Sequence, residues 1–244
     1  PVIPVNHMKG HIFSAFMNGD EFLISNIKFP VLALLASGGH TELILMNGWN
    51  EYKKIGQTRD DAAGEAFDKV ARILGLSYPG GPEISCLAEK CKQIDESNTS
   101  TNLPRPMLNS PDFDFSFSGL KTAVLYMVNK IPNITDSTKA KIAKEFQQAV
   151  VDVLISKTIK AIKSYNAKTI VIGGGVAANK ELRLQLKDTV EKEFPNSILM
   201  LPNIKLTGDN ASMIAIAGYF KFLEKGALAE KDFESISANG NLSL

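Results

Sequence analysis

Two histidines lie four residues apart near the start of the chain, in the stretch VNHMKGH. They are His7 and His11, and the 244-residue sequence contains only three histidines in all. On a helix, residues at this spacing share one face, so the two imidazoles can hold a single metal ion. Imidazole suits iron, zinc, copper or nickel. Because two ligands rarely complete a site, the alternative is a pair of ordinary surface or core histidines.

The residue after the first histidine decides against one kind of metal enzyme. A zinc protease of the H-E-x-x-H type carries its general base, a glutamate, at that position. Here the position is Met8, so a metalloprotease lacks its catalytic group. A carboxylate from elsewhere must complete a metal site. Asp209, directly before the last helical pattern, is a candidate, although an aspartate there can equally cap the helix.

Two glycine-rich turns follow apolar stretches. They are SGGHT at 37–41 and GGGVAAN at 173–179. Such turns expose backbone N–H groups that hold phosphate well, although glycine also serves ordinary tight turns. Neither turn ends in G-K-[ST], and neither matches G-x-G-x-x-G. Two of them in one chain suggest a nucleotide that lies across both.

Acidic residues recur at helical spacing in RDDAAGEAFDKVARILG. Asp60 or Asp61 is predicted to cap the helix, and Asp61, Glu65 and Asp68 are predicted to share one face. The helix dipole explains an acid in the first turn but not Asp68. Asp68 therefore either accepts hydrogen bonds from a ligand or is simply solvated.

The remaining patterns alternate between strands and helices. Strands are predicted within 29–46, on both sides of the Gly-Gly turn, and within 47–58, 167–173 and 197–203. Helices are predicted within 59–75, from about 81, within 115–130 and 137–165, directly after the GGGVAAN turn, and within 211–225. The polar stretch 92–114, broken by prolines, predicts a long loop. This alternation indicates an α/β fold with a mixed or largely parallel sheet.

Composition excludes some classes of protein. No apolar run reaches the roughly 20 residues of a membrane helix, and no signal-peptide pattern is visible, so we expect a cytoplasmic protein without a membrane partner. Cys86 and Cys91 match no common metal motif and are expected to be buried thiols in a reducing compartment. Between Lys121 and Lys192, 13 Lys and Arg stand against 6 Asp and Glu. That excess could attract RNA, or it could reflect solvated helix faces.

Several motifs together resemble a known family. HMKGH, SGGHT, DDAAGEAFDKVARILGLSYPGGP, FSFSGLKT, IGGGVAAN and GDNASMIA occur in the order typical of TsaD, the tRNA adenosine threonylcarbamoyltransferases, and are most similar to the bacterial and mitochondrial branch. They run from Val5 to about Tyr219. The resemblance implies the two-lobed fold of actin, Hsp70 and sugar kinases (the ASKHA fold). It implies a cytoplasmic enzyme, or one of the mitochondrial matrix if the source is a eukaryote.

The resemblance also implies an activity and a site. The family transfers a threonylcarbamoyl group from threonylcarbamoyl-AMP to the exocyclic amine of the adenosine 3′ of the tRNA anticodon. It acts with partner proteins or as a homodimer. One iron ion (Fe²⁺), or zinc as the alternative, is expected on His7, His11 and Asp209. The expected donor contacts are Leu35, Ala36, Ser37, Gly38, Gly39, Asp68, Gly81 and Asn179. Because no Cys or Ser stands out as a nucleophile, direct transfer is the simpler mechanism.

Two departures from the family shape the remaining expectations. The family carries an N-terminal half-lobe ahead of HMKGH, so we expect an incomplete N-terminal lobe and a chain with little or no activity. Residues 1–29 would be the rest of that lobe, 30–206 the C-terminal lobe with the donor turns, and 207–244 a final helix returning to the first lobe. The family's C-T-D-N is TGDN here, which keeps the aspartate. The alternatives are an inactive or partner-binding remnant, a metalloprotease, and a small-molecule kinase on the same fold.

Overall fold

A computed structural model describes residues 2–18, 21–91, 102–226, 236–238 and 244. Seven helices are described: α1 His7–Ser14, α2 Ala63–Ile73, α3 Gly80–Cys91, α4 Ser118–Asn129, α5 Asp136–Tyr165, α6 Lys180–Glu193 and α7 Ala211–Lys225. Seven strands are described: β1 Met17–Asn18, β2 Glu21–Phe22, β3 Val31–Ala36, β4 Thr41–Gly48, β5 Glu51–Gln57, β6 Thr169–Gly173 and β7 Ile198–Met200. Within these ranges, no helix is both long and apolar enough to cross a membrane.

A mixed five-stranded sheet, in the order β5-β4-β3-β6-β7, forms the centre. The central strand β3 pairs antiparallel with β4 and parallel with β6, and β6 pairs parallel with β7. All six residues of β3, VLALLA, are buried, as a strand covered on both faces requires. The predicted α/β class with a mixed sheet is therefore confirmed.

Alternate residues of β3 point into two separate apolar clusters. Leu32, Leu34 and Ala36 belong to the larger cluster, which includes the inner faces of α2 to α6. Val31, Ala33 and Leu35 belong to the second cluster, to which α1 and α7 contribute. The result is three layers, with the helix that carries the two histidines packed against the face opposite α5.

The helix α5 begins and ends as its sequence predicts. The Thr135 side chain accepts a hydrogen bond from Thr138 N at its start, and Asn166 takes the left-handed conformation, with φ of 51°, just after its end. Its one fully buried lysine, Lys157, donates to Ser110 Oγ at 2.6 Å and to the Asp112 carbonyl at 2.9 Å. Lys157 therefore fastens the proline-rich segment to α5. Of the loop predicted at 92–114, residues 92–101 lie outside the described part of the chain.

Two lysines on α5 bind this segment, and their burial predicts unequal contributions to stability. Replacing Lys157 by Met should lower the free energy of unfolding by about 2–4 kcal/mol, because buried carbonyl and hydroxyl groups lose their donor. Lys160 donates to the Ser110 carbonyl at 2.9 Å but is only half-buried. Changing Lys160 to Met should therefore lower the free energy of unfolding by less than about 1 kcal/mol. Urea unfolding of both variants measures the difference, and equal losses would contradict this role for Lys157.

Two predictions about individual side chains are wrong. Neither aspartate caps α2: its N-cap residue is Ala62, without a side-chain bond, and Asp61 lies outside the helix with its carboxylate on Lys69 Nζ. Asp60 instead accepts from the backbone N–H groups of Phe117 and Ser118, at the start of α4. Burial would raise the pKa of Asp60, but these bonds and those from two serine hydroxyls hold it below its usual value. Cys86, expected to be buried, is exposed.

Candidate functional site

The helix α1 places His7 and His11 side by side. Asn6 caps it by accepting hydrogen bonds from Met8 N at 2.9 Å and Lys9 N at 3.3 Å, so the helix begins at His7. The two imidazole rings stand edge to face, with centroids 4.8 Å apart. The spacing predicted from the sequence thus brings both rings to one face of a helix.

Asp209 meets both histidines and does not cap α7. The cap is its neighbour Asn210, whose side chain accepts from Met213 N at 2.9 Å. Asp209 Oδ1 lies 3.2 Å from His7 Nε2 and 3.3 Å from His11 Nε2. The ligand atoms of the three residues all lie within 4.8 Å of one another. The structure therefore brings together the three side chains predicted to bind a metal, although binding itself stays a prediction.

The donor set fits a first-row divalent metal. Separations near 3.2 Å are what two donors show when each is about 2.1 Å from one ion. Burial, reinforced by the nearby His7 and His40, lowers the pKa of His11, so its ring is neutral near pH 7, as a metal ligand must be. His11 is 3% exposed, whereas Asp209 is 75% exposed. The cluster is thus anchored on its inner side and accessible from outside.

The Gly173–Gly174 turn lies between the histidine helix and the Ser37–Gly39 turn. A Cβ on Gly173 would come within 2.7 Å of the His11 carbonyl oxygen. A Cβ on Gly174, whose φ is +85°, would collide with the Ala36 carbonyl oxygen. These close approaches explain why only glycine fits at both positions. They also show that the two glycine turns predicted from sequence and the candidate metal ligands adjoin one another.

The Ser37–Gly39 turn presents free amides. Its start is held by a bond from Ser37 N to the His40 carbonyl at 2.8 Å and one from Gly64 N to the Ser37 carbonyl at 3.0 Å. The amides of Gly38 and Gly39 donate to no residue in the described part of the chain, and both residues are exposed. Leu35 and Ala36 are buried in β3, where they pair with Glu42 and Thr41 of β4, so the exposed part of the predicted LASGG contact is the glycine turn. Two adjacent free amides can bind a phosphate or an oxyanion.

The other predicted donor contacts lie around the start of α3 and of α6. Asp68 Oδ1 accepts from Gly80 N at 2.7 Å, which joins α2 to the first turn of α3. Gly81, the next residue, has no atom within 4 Å of the position that a Cβ would take, so its surroundings are open. Asn179 caps α6 by accepting from Leu182 N at 3.0 Å. The Asp68 carboxylate and Gly81 thus lie at the start of α3, and Asn179 lies at the start of α6.

Sequence reasoning missed two residues that bind Asn179. Its Nδ2 donates to Gln147 Oε1 at 2.9 Å and to Ser85 Oγ at 3.1 Å. Ser85 could have been found, because it lies four residues after Gly81 and thus on the same face of a helix. Gln147 gave a weaker signal: it is a polar residue directly beside Phe146 in the apolar stripe of α5.

Comparison of whole structures defines the class of protein. The chain resembles the crystal structure of T. kodakarensis HypF with a TM-score of 0.59, over 95% of this chain and 38% of that one, at 13% sequence identity. At that identity the likeness concerns the fold alone. Together with the mixed order of the sheet, it shows an α/β fold, as the sequence predicted.

Sequence comparison then defines the family. The family model of TsaD, tRNA N6-adenosine threonylcarbamoyltransferase, matches residues 1–216. A protein of that name from Thermosipho africanus is 48% identical over 236 residues, covering 97% of this chain and 67% of its own length. Another from Ligilactobacillus salivarius is 49% identical over 223 residues, covering 91% of this chain and 61% of its own length. The chain therefore belongs to the TsaD family, and it spans about two thirds of the length of these relatives.

Proposed function

We propose that the protein transfers a threonylcarbamoyl group from threonylcarbamoyl-AMP to the exocyclic amine of the adenosine 3′ of the anticodon in tRNA. Family membership supports the reaction, because the relatives are named for it. The observation that carries the proposal is the meeting of three elements: the His7–His11–Asp209 cluster, the free amides of Gly38 and Gly39, and the turn at 173–174 between them.

Different residues are suited to the two halves of the donor, threonylcarbamoyl-AMP. The amides of Gly38 and Gly39 are suited to the phosphate and to the oxyanion that develops when the amine attacks the carbamoyl carbon. Asp68, Gly81 and Asn179 are suited to the nucleoside half. In a direct transfer, the amine adds to the carbamoyl carbon to form the new C–N bond, the anhydride C–O bond then breaks, and AMP leaves with the electron pair of that bond. The amine gives up one proton, which the leaving AMP or solvent accepts. No covalent enzyme intermediate is needed.

The proposed metal is one iron ion per chain, with zinc as the alternative, held by His7, His11 and Asp209. When bound, a metal with two histidines and one carboxylate supplies a Lewis acid with open positions. The chain's own contribution is to keep His11 buried and neutral and to hold Asp209 against both rings. The small-molecule kinase interpretation explains none of these three side chains, and Met8 leaves the protease interpretation without a base.

The proposed partners are tRNA and either accessory proteins or a second copy of the chain. Basic residues between Lys121 and Lys192 exceed acidic ones by seven, but several are already bound within the protein. Lys163 pairs with Glu193 and Lys180 with Glu89. The excess therefore supplies non-specific attraction to phosphate more than sequence readout. A tRNA substrate would place the activity in the cytoplasm, or in the mitochondrial matrix of a eukaryote.

Open space at two glycines permits a test of the donor site that leaves the fold intact. Gly39 and Gly81 have no atom within 4 Å of an added Cβ, so Gly39→Val and Gly81→Val should keep the wild-type melting temperature. Each valine should nevertheless weaken AMP binding at least about 10-fold, by filling space that the ligand needs. Calorimetry with AMP measures this, and Gly48→Val, on the last residue of β4, is the control. Unaltered affinity in both variants would place the nucleotide elsewhere.

The proposed reaction itself is tested by a reconstituted assay. Threonylcarbamoyl-AMP, tRNA and the accessory proteins are combined with this chain, and threonylcarbamoyladenosine is measured in the digested tRNA by mass spectrometry. Modified adenosine that forms only when the chain is present together with its partners would support the proposed reaction, and it would contradict the expectation that this chain has little or no activity. If the chain does not stimulate the reaction although it is folded and binds AMP, the alternative of a partner-binding remnant is favoured.

A further inference from the structure

A chain of hydrogen bonds joins α6, α5 and α3, and its direction is fixed by chemistry. The N–H of Leu182 can only donate, so the atom of Asn179 that it meets at 3.0 Å must be the oxygen Oδ1. The other end of that amide is then Nδ2, which can only donate, so the atom of Gln147 that it meets at 2.9 Å must be Oε1. The orientation of the Gln147 amide therefore follows from a backbone N–H on another helix.

This orientation leaves the donor end of Gln147 without a partner. Gln147 is 8% exposed, and its Oε1 also accepts from Ser85 Oγ at 2.8 Å. Its Nε2 donates to no residue in the described part of the chain. Among the described residues, the fully buried side-chain atoms without a partner are His11 Nδ1 and Asp61 Oδ2, so Gln147 Nε2 is not one of them. The Nε2 atom of this largely buried side chain is therefore not fully buried, and its two N–H groups have no partner among the described residues. Such donors are ready to bind a ligand acceptor.

Neighbouring contacts place Gln147 with the predicted nucleoside contacts. The ring of Phe146 packs edge to face on that of Phe67, with centroids 5.1 Å apart, and the residues that follow them are Gln147 and Asp68. Asp68 in turn holds Gly80 N, and Ser85 lies on the same helix, α3. Gln147 therefore belongs to the region of Asp68, Gly81 and Asn179.

We infer that Gln147 Nε2 donates a hydrogen bond to a ribose hydroxyl oxygen of the bound adenylate and is a specificity-determining residue for the nucleoside half of the donor. The inference rests on the proposed function. A ribose hydroxyl is both a donor and an acceptor, so neighbouring hydroxyls are matched by a carboxylate that accepts and an amide that donates. Asp68 and Gln147 supply that pair, with Ser85 and Asn179 holding the amide in orientation.

The test compares AMP with 2′-deoxy-AMP and 3′-deoxy-AMP by calorimetry. In Gln147→Glu, the carboxylate still accepts from Ser85 and Asn179 but the two donors are lost. The wild-type protein should bind AMP about 5- to 10-fold more tightly than at least one deoxy form, and Gln147→Glu should lose most of that preference. Because all probes carry the same phosphate, the ratio of affinities cancels the added charge. Gln148→Glu, the same change on the next residue of α5, should keep the preference.

Each outcome bears on the inference. An unchanged preference in Gln147→Glu would overturn it while leaving the adenylate site and the proposed function in place. A wild-type protein that binds AMP and both deoxy forms equally would overturn it as well. If the wild-type protein did not bind AMP at all, the inference and the proposed donor site would fail together. Should Gln147→Glu not fold, Gln147→Met, an uncharged replacement of similar length, carries the same expectation.

Discussion

Changing Asp209 to alanine is expected to remove the metal from the protein without weakening the fold. Loss of an outer-shell partner already lowers metal affinity about 10- to 100-fold, and Asp209 is placed as a direct ligand, so its loss should exceed 100-fold. Iron and zinc measured by elemental analysis should fall from about one ion per chain to a trace. The melting temperature of the metal-free protein should not change, because Asp209 caps no helix.

The neighbouring residue provides the matched control for this prediction. Asn210→Ala removes the cap of α7 and should lower the free energy of unfolding by about 1 kcal/mol, while the metal content stays near wild type. His7→Ala and His11→Ala should both lose metal. Retained metal in Asp209→Ala, or loss from one histidine variant but not the other, would contradict the three-ligand site.

Gly174→Ala is expected to damage both stability and adenylate binding. Gly174 has φ of 85° and ψ of 166°, a conformation that is essentially restricted to glycine, and an added methyl group would collide with the Ala36 carbonyl oxygen. The backbone conformation alone costs about 1–3 kcal/mol. The collision should also displace the turn that carries Gly38 and Gly39, so AMP affinity should fall by at least about 10-fold.

Gly175, the next residue, provides the control that shows whether the effect is specific to Gly174. A Cβ on Gly175 has no atom within 4 Å, and Gly175 lies in the short 3₁₀ segment Gly175–Ala178. Gly175→Ala should therefore change the free energy of unfolding by less than about 0.5 kcal/mol and should keep AMP affinity. Chemical unfolding and calorimetry on the two variants make the comparison. Equal behaviour of Gly174→Ala and Gly175→Ala would show that contact between the two turns is unimportant.

Local sequence patterns predicted the main helices and strands, because the conformation of each of them depends largely on residues that are neighbours along the chain. The apolar run of β3, the stripe of α5 and the spacing of His7 and His11 all appear as expected. The family resemblance was likewise found from short sequence motifs, such as HMKGH and SGGHT. The division into ranges 1–29, 30–206 and 207–244 stays a prediction.

Features that depend on distant partners were missed or misread. Asp60 was predicted to cap the helix that follows it, but it caps α4 instead, because Phe117 and Ser118 present free N–H groups to it. Asp209 was considered as a cap of α7, but the cap is Asn210; both residue types are good caps, so the sequence alone does not separate them. The role of Gln147 depends on residues 62 positions before it and 32 after it, so no local pattern reveals it.

The metal cluster and the adenylate turns are proposed to form one site. Loading the protein with Mn²⁺ and recording the ³¹P relaxation of AMP tests it directly, because a paramagnetic ion accelerates the relaxation of nearby nuclei. We expect strong acceleration in the wild-type protein and none in Asp209→Ala, with AMP bound in both. Phosphate relaxation that is the same with and without manganese in the wild-type protein would show that the metal and the adenylate bind at separate places.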